Sequence, residues 1–208
     1  LFPYTTLFRS SNCPLTNEGF KFCGDHRFSH ALKQSGVDIV NLANNHSLNY
    51  GWDGVLETHK HLEEQTISWT GFTQEGPSKQ TTLRIKGMKI GFLGYNAVGQ
   101  RLTEDIGQEI ASFKKAVDFL IVSVHWGKEY ERFPVADRSM APDDPKEWGK
   151  KFIDWGADIV AGNHPHWYQP VEWYQGKPIF YALGNTVFDQ EWSSETKQGF
   201  LVKLIVEN

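Results

Sequence analysis

The sequence has little sulfur and no long apolar run, and both absences narrow what it can be. Two cysteines in 208 residues, Cys13 and Cys23, exclude a zinc ribbon or a disulfide framework. They leave open a single bridge across a short loop or two free thiols. No stretch approaches the roughly 18 consecutive apolar residues of a membrane helix. Basic runs interleaved with aromatics are absent too, and a net charge of −4 with a pI near 6.1 argues against nucleic acid as a partner. No linker or low-complexity segment divides the chain, which therefore reads as one domain. Hydrophobic residues at 39% and charged residues at 22% are ordinary for a globular protein with a sizeable core.

Against these absences stand three strings that end in histidine: Ala43-Asn44-Asn45-His46, Val124-His125-Trp126 and Gly162-Asn163-His164-Pro165-His166. Each closes an apolar run, and Asp38, Asp118 and Asp158 stand at the run entrances, eight, seven and six residues before a histidine. Short apolar runs are the signature of parallel strands buried under helices, and ligands of open α/β sheets bind at the carboxyl ends of such strands. Histidines leaving neighbouring strands at that edge converge. Pro165 biases His164 toward extended backbone, in which His164 and His166 would face the same way. Neutral imidazole suits zinc, iron or manganese and asparagine oxygen adds a harder ligand, so the pattern reads as a metal site with more than one ion.

Arg27 through Ser35 reads as a helix stopped by Gly36, and Gly54 to Gln65 as an amphipathic one. Glu104 to Lys115 and Asp144 to Trp155 read as the helices of βαβ units that feed the His125 and His164 strands. Thr81–Ile85 and Met88–Leu93 read as a hairpin about Lys86-Gly87. Pro170–Tyr174, Pro178–Leu183 and Gly199–Val206 read as antiparallel strands completing a second sheet. Trp126, Trp167, Trp173 and Phe188 are expected to pack the core. His26, His30, His59 and His61 are expected on the surface, and Asn185 and Asp189 in a turn.

The first ten residues, Leu1 to Ser10, read as the translation of a short-read sequencing adapter, which assigns native sequence to residues 11–208. A source reading frame that continues upstream without the adapter would overturn this.

The ordered motifs Leu-Ala-Asn-Asn-His, Val-His-Trp-Gly-Lys-Glu-Tyr, Gly-Asn-His-Pro-His and Phe180-Tyr181-Ala182-Leu183-Gly184-Asn185 with Phe188-Asp189-Gln190 resemble the bacterial capsule-synthesis CapA family, also called the poly-γ-glutamate biosynthesis family. The resemblance runs from Pro14-Leu15-Thr16 to the C-terminus. It implies an α/β fold of the calcineurin-like metallophosphatase kind, a layered β-sandwich flanked by helices, with the first strand or strands missing. It implies that Asn45 contacts a metal, that His125 and His164 hold one ion and His166 another, and that His46 acts as general acid or transition-state donor. Asn44, Glu129 and Tyr130 are the candidates for lining the substrate pocket. The implied cofactors are two divalent ions, with Mn, Fe, Zn and Mg undistinguished. Two adjacent cations clamp an oxyanion and lower the pKa of a bridging water.

The family also carries an early Gly-Asp strand end and an Asn-x-Glu segment ahead of its Pro-Leu-Thr stretch, and neither has a counterpart here. Gly24-Asp25 imitates the first but follows Pro14-Leu15-Thr16, so Asp25 takes no ligand role. Asn49 stands where the family has aspartate. Four histidine and asparagine groups without acidic ligands predict weak metal binding and a poor enzyme. The implied partner is a phosphoryl or polymer substrate, polyglutamate or polysaccharide, within a membrane-associated synthesis complex at the cell envelope or outside the cell. The readings open from the sequence are a metal-dependent hydrolase, a non-catalytic scaffold of polymer synthesis and export, and a general metallophosphoesterase.

Overall fold

The computed structural model describes residues 21–74, 78–188 and 190–206, and the backbone of Phe8–Arg9. The adapter-like segment lies outside the described residues except for that dipeptide, and Asp189 and Cys13 lie outside them altogether. In order come β1 (Phe8–Arg9), β2 (Gly24–Asp25), α1 (Arg27–Gln34), β3 (Ile39–Asn41), α2 (Gly51–Glu64), β4 (Ser68–Thr70), β5 (Thr81–Ile85) and β6 (Met88–Asn96). Then follow α3 (Ile106–Lys114), β7 (Phe119–His125), α4 (Pro145–Asp154), β8 (Ile159–Asn163), β9 (Val171–Tyr174) and β10 (Lys177–Phe180).

The main sheet has six strands in the order β5-β6-β7-β8-β10-β9. The central β6, β7, β8 and β10 run parallel, and the edges β5 and β9 are antiparallel hairpin partners. The hairpin turns Lys86-Gly87 and Gln175-Gly176 take positive φ at both residues, as a type I′ turn requires. Residue alternation decides what each face meets. Leu120, Val122, Val124 and Trp126 point to one side with Leu93, Tyr95 and Val160, where Ile110 and Phe113 of α3 and Trp148, Phe152 and Ile153 of α4 seal them. Ile121, Phe92 and Ile159 point to the other side and meet Ile39 of β3. The β3–β4 pair turns Val40, Leu42 and Trp69 outward onto Leu62 of α2. The result is helices, large sheet, small sheet, helices: a layered α/β architecture as the sequence predicts.

Asp144 caps α4, its carboxylate accepting the Lys146 amide at 2.9 Å ahead of Pro145 in the first turn. Asp144→Ala is expected to cost about 1 kcal/mol, read as a lower urea midpoint with unchanged slope.

Several expectations change. The β9–β10 hairpin does not begin a second sheet but extends the first, because β10 lies parallel to β8 and hydrogen-bonds along it. Gly199–Val206 forms no strand; only Gly199 bridges Gly184, since no ladder partner runs beside the remainder among the described residues. Residues 200–206 instead wall a cavity of about 1180 Å³ against Phe92, Phe119, Ile121, Ile159 and Phe180. Trp126 is fully buried as expected, but Trp173 is 70% exposed on the edge strand β9. His59 and His61 are not surface residues: His61 is buried and stacks on His26, while the half-buried His59 stacks on Trp69 with ring centroids 4.4 Å apart. Their face of α2 turns inward, toward β4 and α1. Cys23 is disulfide-bonded.

Candidate functional site

The site forms where β7 and β8 end beside the loop after β3. On β7 the alternation that sends Val124 and Trp126 into the helix-side core sends Ser123 and His125 toward β3. There Asn41 donates from Nδ2 to Ser123 Oγ at 3.2 Å, a buried bond that pins the small sheet to the large one. Four residues on, Asn45 Oδ1 lies 2.9 Å from His125 Nε2. Asn44 is buried and accepts the His46 amide on Oδ1 at 2.8 Å, fixing the turn that carries Asn45 and His46. Asn49 Nδ2 lies 3.3 Å from His46 Nδ1, so the asparagine meets the imidazole. With an amide N–H facing Nδ1, the neutral ring keeps its proton on Nε2, the tautomer of a donor.

His164 does not have the extended backbone that Pro165 predicts. Its φ is +92°, a region that costs a non-glycine residue of order 1–3 kcal/mol and that clusters at functional sites. The turn nevertheless brings its ring to 4.8 Å from that of His125, edge to face. His166 is fixed by its other nitrogen: Nδ1 lies 2.8 Å from Asn185 Oδ1, which directs Nε2 away from the support, toward Glu129 Oε1 at 4.0 Å. Such a supported imidazole is the arrangement of a ligand histidine. Asn185 is held in turn by donating to the Thr196 carbonyl at 2.9 Å.

His125, His164 and His166 are buried at 1%, 7% and 9% exposure, whereas Asn45 and His46 are half-buried. Burial first, and then the proximity of His164, His46 and His166, push the His125 pKa well below the usual imidazole range. His164 is lowered to about 4, again by burial first and then by His166 and His46. These rings are neutral at pH 7, the form in which imidazole binds metal.

The set fits a divalent cation by donor type but not by number. No three His, Cys, Asp or Glu side chains among the described residues close on a common point. Asp25, the nearest imitation of an acidic ligand in the sequence, spends both oxygens on Arg27, at 3.0 Å to Nε and 2.6 Å to Nη2.

The structure thus gathers Asn45, His46, His125, His164 and His166, with Glu129 beside His166 and Tyr130 stacked on it at 5.3 Å. It adds residues the sequence reading missed or placed elsewhere. Phe22 packs edge-on against His46 at 4.4 Å, and Phe188 lies 5.2 Å from His166. Asn185 supports His166 rather than serving only a turn. Its string Leu183-Gly184-Asn185 repeats the placement of asparagine beyond a strand end seen in Asn44 and Asn45, which was the available signal.

Helices flank two stacked sheets in a layered α/β fold, with imidazole and amide side chains gathered at the strand ends. The fold is shared with a hypothetical protein from Thermus thermophilus (TM-score 0.54, 20% identity, 77% of this chain and 59% of that one). It is shared also with a phosphatase from Mycoplasma pneumoniae (TM-score 0.52, 14% identity, 74% of this chain and 53% of that one). Residues 4–190 match the family of the bacterial capsule synthesis protein PGA_cap, and the chain belongs to that family. It is 32% identical over 189 residues to the PGA biosynthesis protein CapA of Bacillus subtilis, covering 83% of this chain and 48% of the relative. It is 30% identical over 193 residues to the capsule biosynthesis protein CapA of Bacillus anthracis, covering 83% and 45%. The chain spans about half the length of these curated relatives.

Proposed function

We propose that the histidine cluster is the imidazole half of a two-metal hydrolase-type centre that acts on a phosphoryl or related oxyanion-bearing bond in envelope polymer work. The observation that carries this reading is the convergence of Asn45, His46, His125, His164 and His166 from two sheets onto one edge, with the His125 and His164 rings held neutral. His125 and His164 would hold one ion with Asn45, and His166 the other. Two such ions supply charge for an oxyanion and an acidified water. What the chain itself supplies is position and a proton donor. Asn185 orients His166, Asn44 sets the turn, and His46, with Asn49 against Nδ1, offers Nε2–H to a leaving oxygen. The membership in a capsule-synthesis family supports a polymer-related substrate, and the disulfide at Cys23 suits the oxidising side of an envelope.

Because neutral donors leave most of the charge of two cations uncompensated, this chain by itself is expected to bind Mn²⁺ or Zn²⁺ weakly and to hydrolyse bis(p-nitrophenyl) phosphate slowly. With Mn²⁺ supplied in excess, His46→Ala should lower turnover by about 10²–10⁴-fold with metal content retained, while His125→Ala should lose the metal. Full turnover in His46→Ala, or metal content indifferent to His125→Ala, refutes the assignment, and retained polymer production in both favours a scaffold.

A further inference from the structure

His46 stands on a turn, not on a strand, and the hydrogen bond between its Nδ1 and Asn49 is long, at 3.3 Å. A bond at one ring atom leaves the imidazole plane free to swing about it, and the torsion that turns a histidine ring is broad. Phe22 packs across that swing. Its ring meets the His46 ring edge to face, with centroids 4.4 Å apart and planes at 79°. Phe22 also meets Phe188 at 5.9 Å, and Phe188 lies 5.2 Å from His166. One phenyl thus touches the His46 turn and, through Phe188, the His166 turn, while offering no ligand atom to either.

Phe22 in turn depends on its neighbour. From Gly24 onward the chain is well anchored: Gly24 is buried in β2, the Asp25 carboxylate accepts the Arg27 amide at 2.8 Å, and His26 stacks on His61. Phe22 lies ahead of those anchors, outside the β1–β2 register, and its backbone hydrogen-bonds to no other described residue. The covalent tie at this point is the disulfide of the adjacent Cys23, to which the sequence offers one partner, Cys13. A crosslink removes conformations otherwise open to the chain around it. We infer that Phe22 is the positioning residue of His46 and that the Cys23 disulfide is the latch that seats it, so that thiol reduction loosens the proton donor and leaves His125 and His164 in place. Those two are held independently, at the ends of the buried strands β7 and β8. Opening the latch takes two electrons and two protons from a dithiol, whose own sulfurs close to a disulfide, and leaves thiols at Cys13 and Cys23. Cys23 is half-buried, within reach of a small reagent. As control of a reaction this rests on the reading of His46 as proton donor; as a statement of what holds the imidazole it does not.

The test needs neither metal nor turnover. Histidine ring-proton NMR signals are recorded on the full chain, with His46 assigned by its loss in His46→Asn, and access to His46 is read as its rate of modification by diethyl pyrocarbonate. Phe22→Leu keeps an apolar side chain without the ring. It is expected to abolish the ring-current displacement of the His46 signals and to speed the modification about two- to twelvefold, the equilibrium worth of one aromatic pair. Phe22→Tyr should restore both. Reduction by dithiothreitol and, separately, Cys13→Ser should reproduce Phe22→Leu, with the His125 and His164 signals unmoved. His46 signals indifferent to Phe22→Leu refute the positioning role. Signals that move in Phe22→Leu but neither on reduction nor in Cys13→Ser refute the latch. Shifts of His125 and His164 on reduction, or loss of the thermal transition in Cys13→Ser, also sink it, since the bridge would then hold the whole fold. Full turnover in His46→Ala beside a confirmed Phe22 contact would overturn the donor reading and leave the contact standing.

Discussion

Gly162→Ala is expected to remove about 3–5 kcal/mol of folding stability, more than any other single-methyl change in the β7–β8 region. A Cβ at this position would lie 2.1 Å from the Tyr181 carbonyl oxygen and 2.5 Å from Trp126 Nε1. Those two atoms are hydrogen-bonded to each other at 2.9 Å, so the methyl would sit against the bond itself. Neither partner can swing aside. Trp126 is fully buried between Phe152 and Tyr181, and the Tyr181 carbonyl is backbone. Overpacking costs about 1–3 kcal/mol, and leaving a buried donor and acceptor apart adds a further 1–3 or so. For a chain of this length the sum lowers the melting temperature by roughly 10–15 °C. Gly87→Ala is the contrast: its φ is positive, at +87°, but nothing lies within 4 Å of a built Cβ. It should cost only about 1 kcal/mol, for conformation alone. Thermal and urea melts of the pair decide the matter. A Gly162→Ala loss below about 1 kcal/mol would mean that the Trp126 lock does not exist. The lock also bears on the site, because His125 precedes Trp126 and His164 follows Gly162 by two residues.

That lock marks the boundary of what could be read in advance. The helices were legible because their signals are local: Asp144-Pro145 opens α4 and Gly36 closes off α1. The strands β5 to β8 were legible as apolar runs, and the direction of His125 followed from alternation along β7. What failed depended on partners distant in sequence. Whether Val171–Tyr174 and Lys177–Phe180 begin a new sheet or widen the old one turns on the pairing of Ile179 with Val160, which nothing near either residue announces. Gly199–Val206 has strand composition but no ladder beside it among the described residues. His61 reads as surface until α1 places His26 over it. At the site, the residue types and their common edge were legible, since they follow from the strand ends. The means were not. A proline rule predicted extended backbone at His164, and the turn instead takes a positive φ to reach the same convergence.

The conformation of His164 also allows a clean test of the buried rings. Folding is expected to weaken steeply between pH 6.5 and 4, beyond what the carboxylates contribute. An unfolded histidine titrates near pH 6.5, whereas burial and neighbouring imidazoles lower His164 to about 4 and His125 well below the usual range. Above pH 6.5 both rings are neutral whether the chain is folded or not, and their contribution is level. As pH falls below 6.5 the unfolded chain takes up protons that the folded chain refuses, so stability is lost down to the folded pKa. His164 alone accounts for about 3 kcal/mol across that window, at 1.36 kcal/mol per unit, and His125 adds at the same limiting slope. His59, lowered to about 4 by burial and then by Lys79, contributes less because it is partly exposed to solvent. The substitution to use is His164→Asn, since asparagine tolerates positive φ better than other side chains and does not titrate. Urea melts at half-unit pH intervals should show wild type and variant diverging below pH 6.5, the variant losing about 3 kcal/mol less by pH 4. Parallel curves would show that His164 titrates in the folded chain as it does in the unfolded one, so that neither burial nor the neighbouring imidazoles hold its ring neutral below pH 6.5.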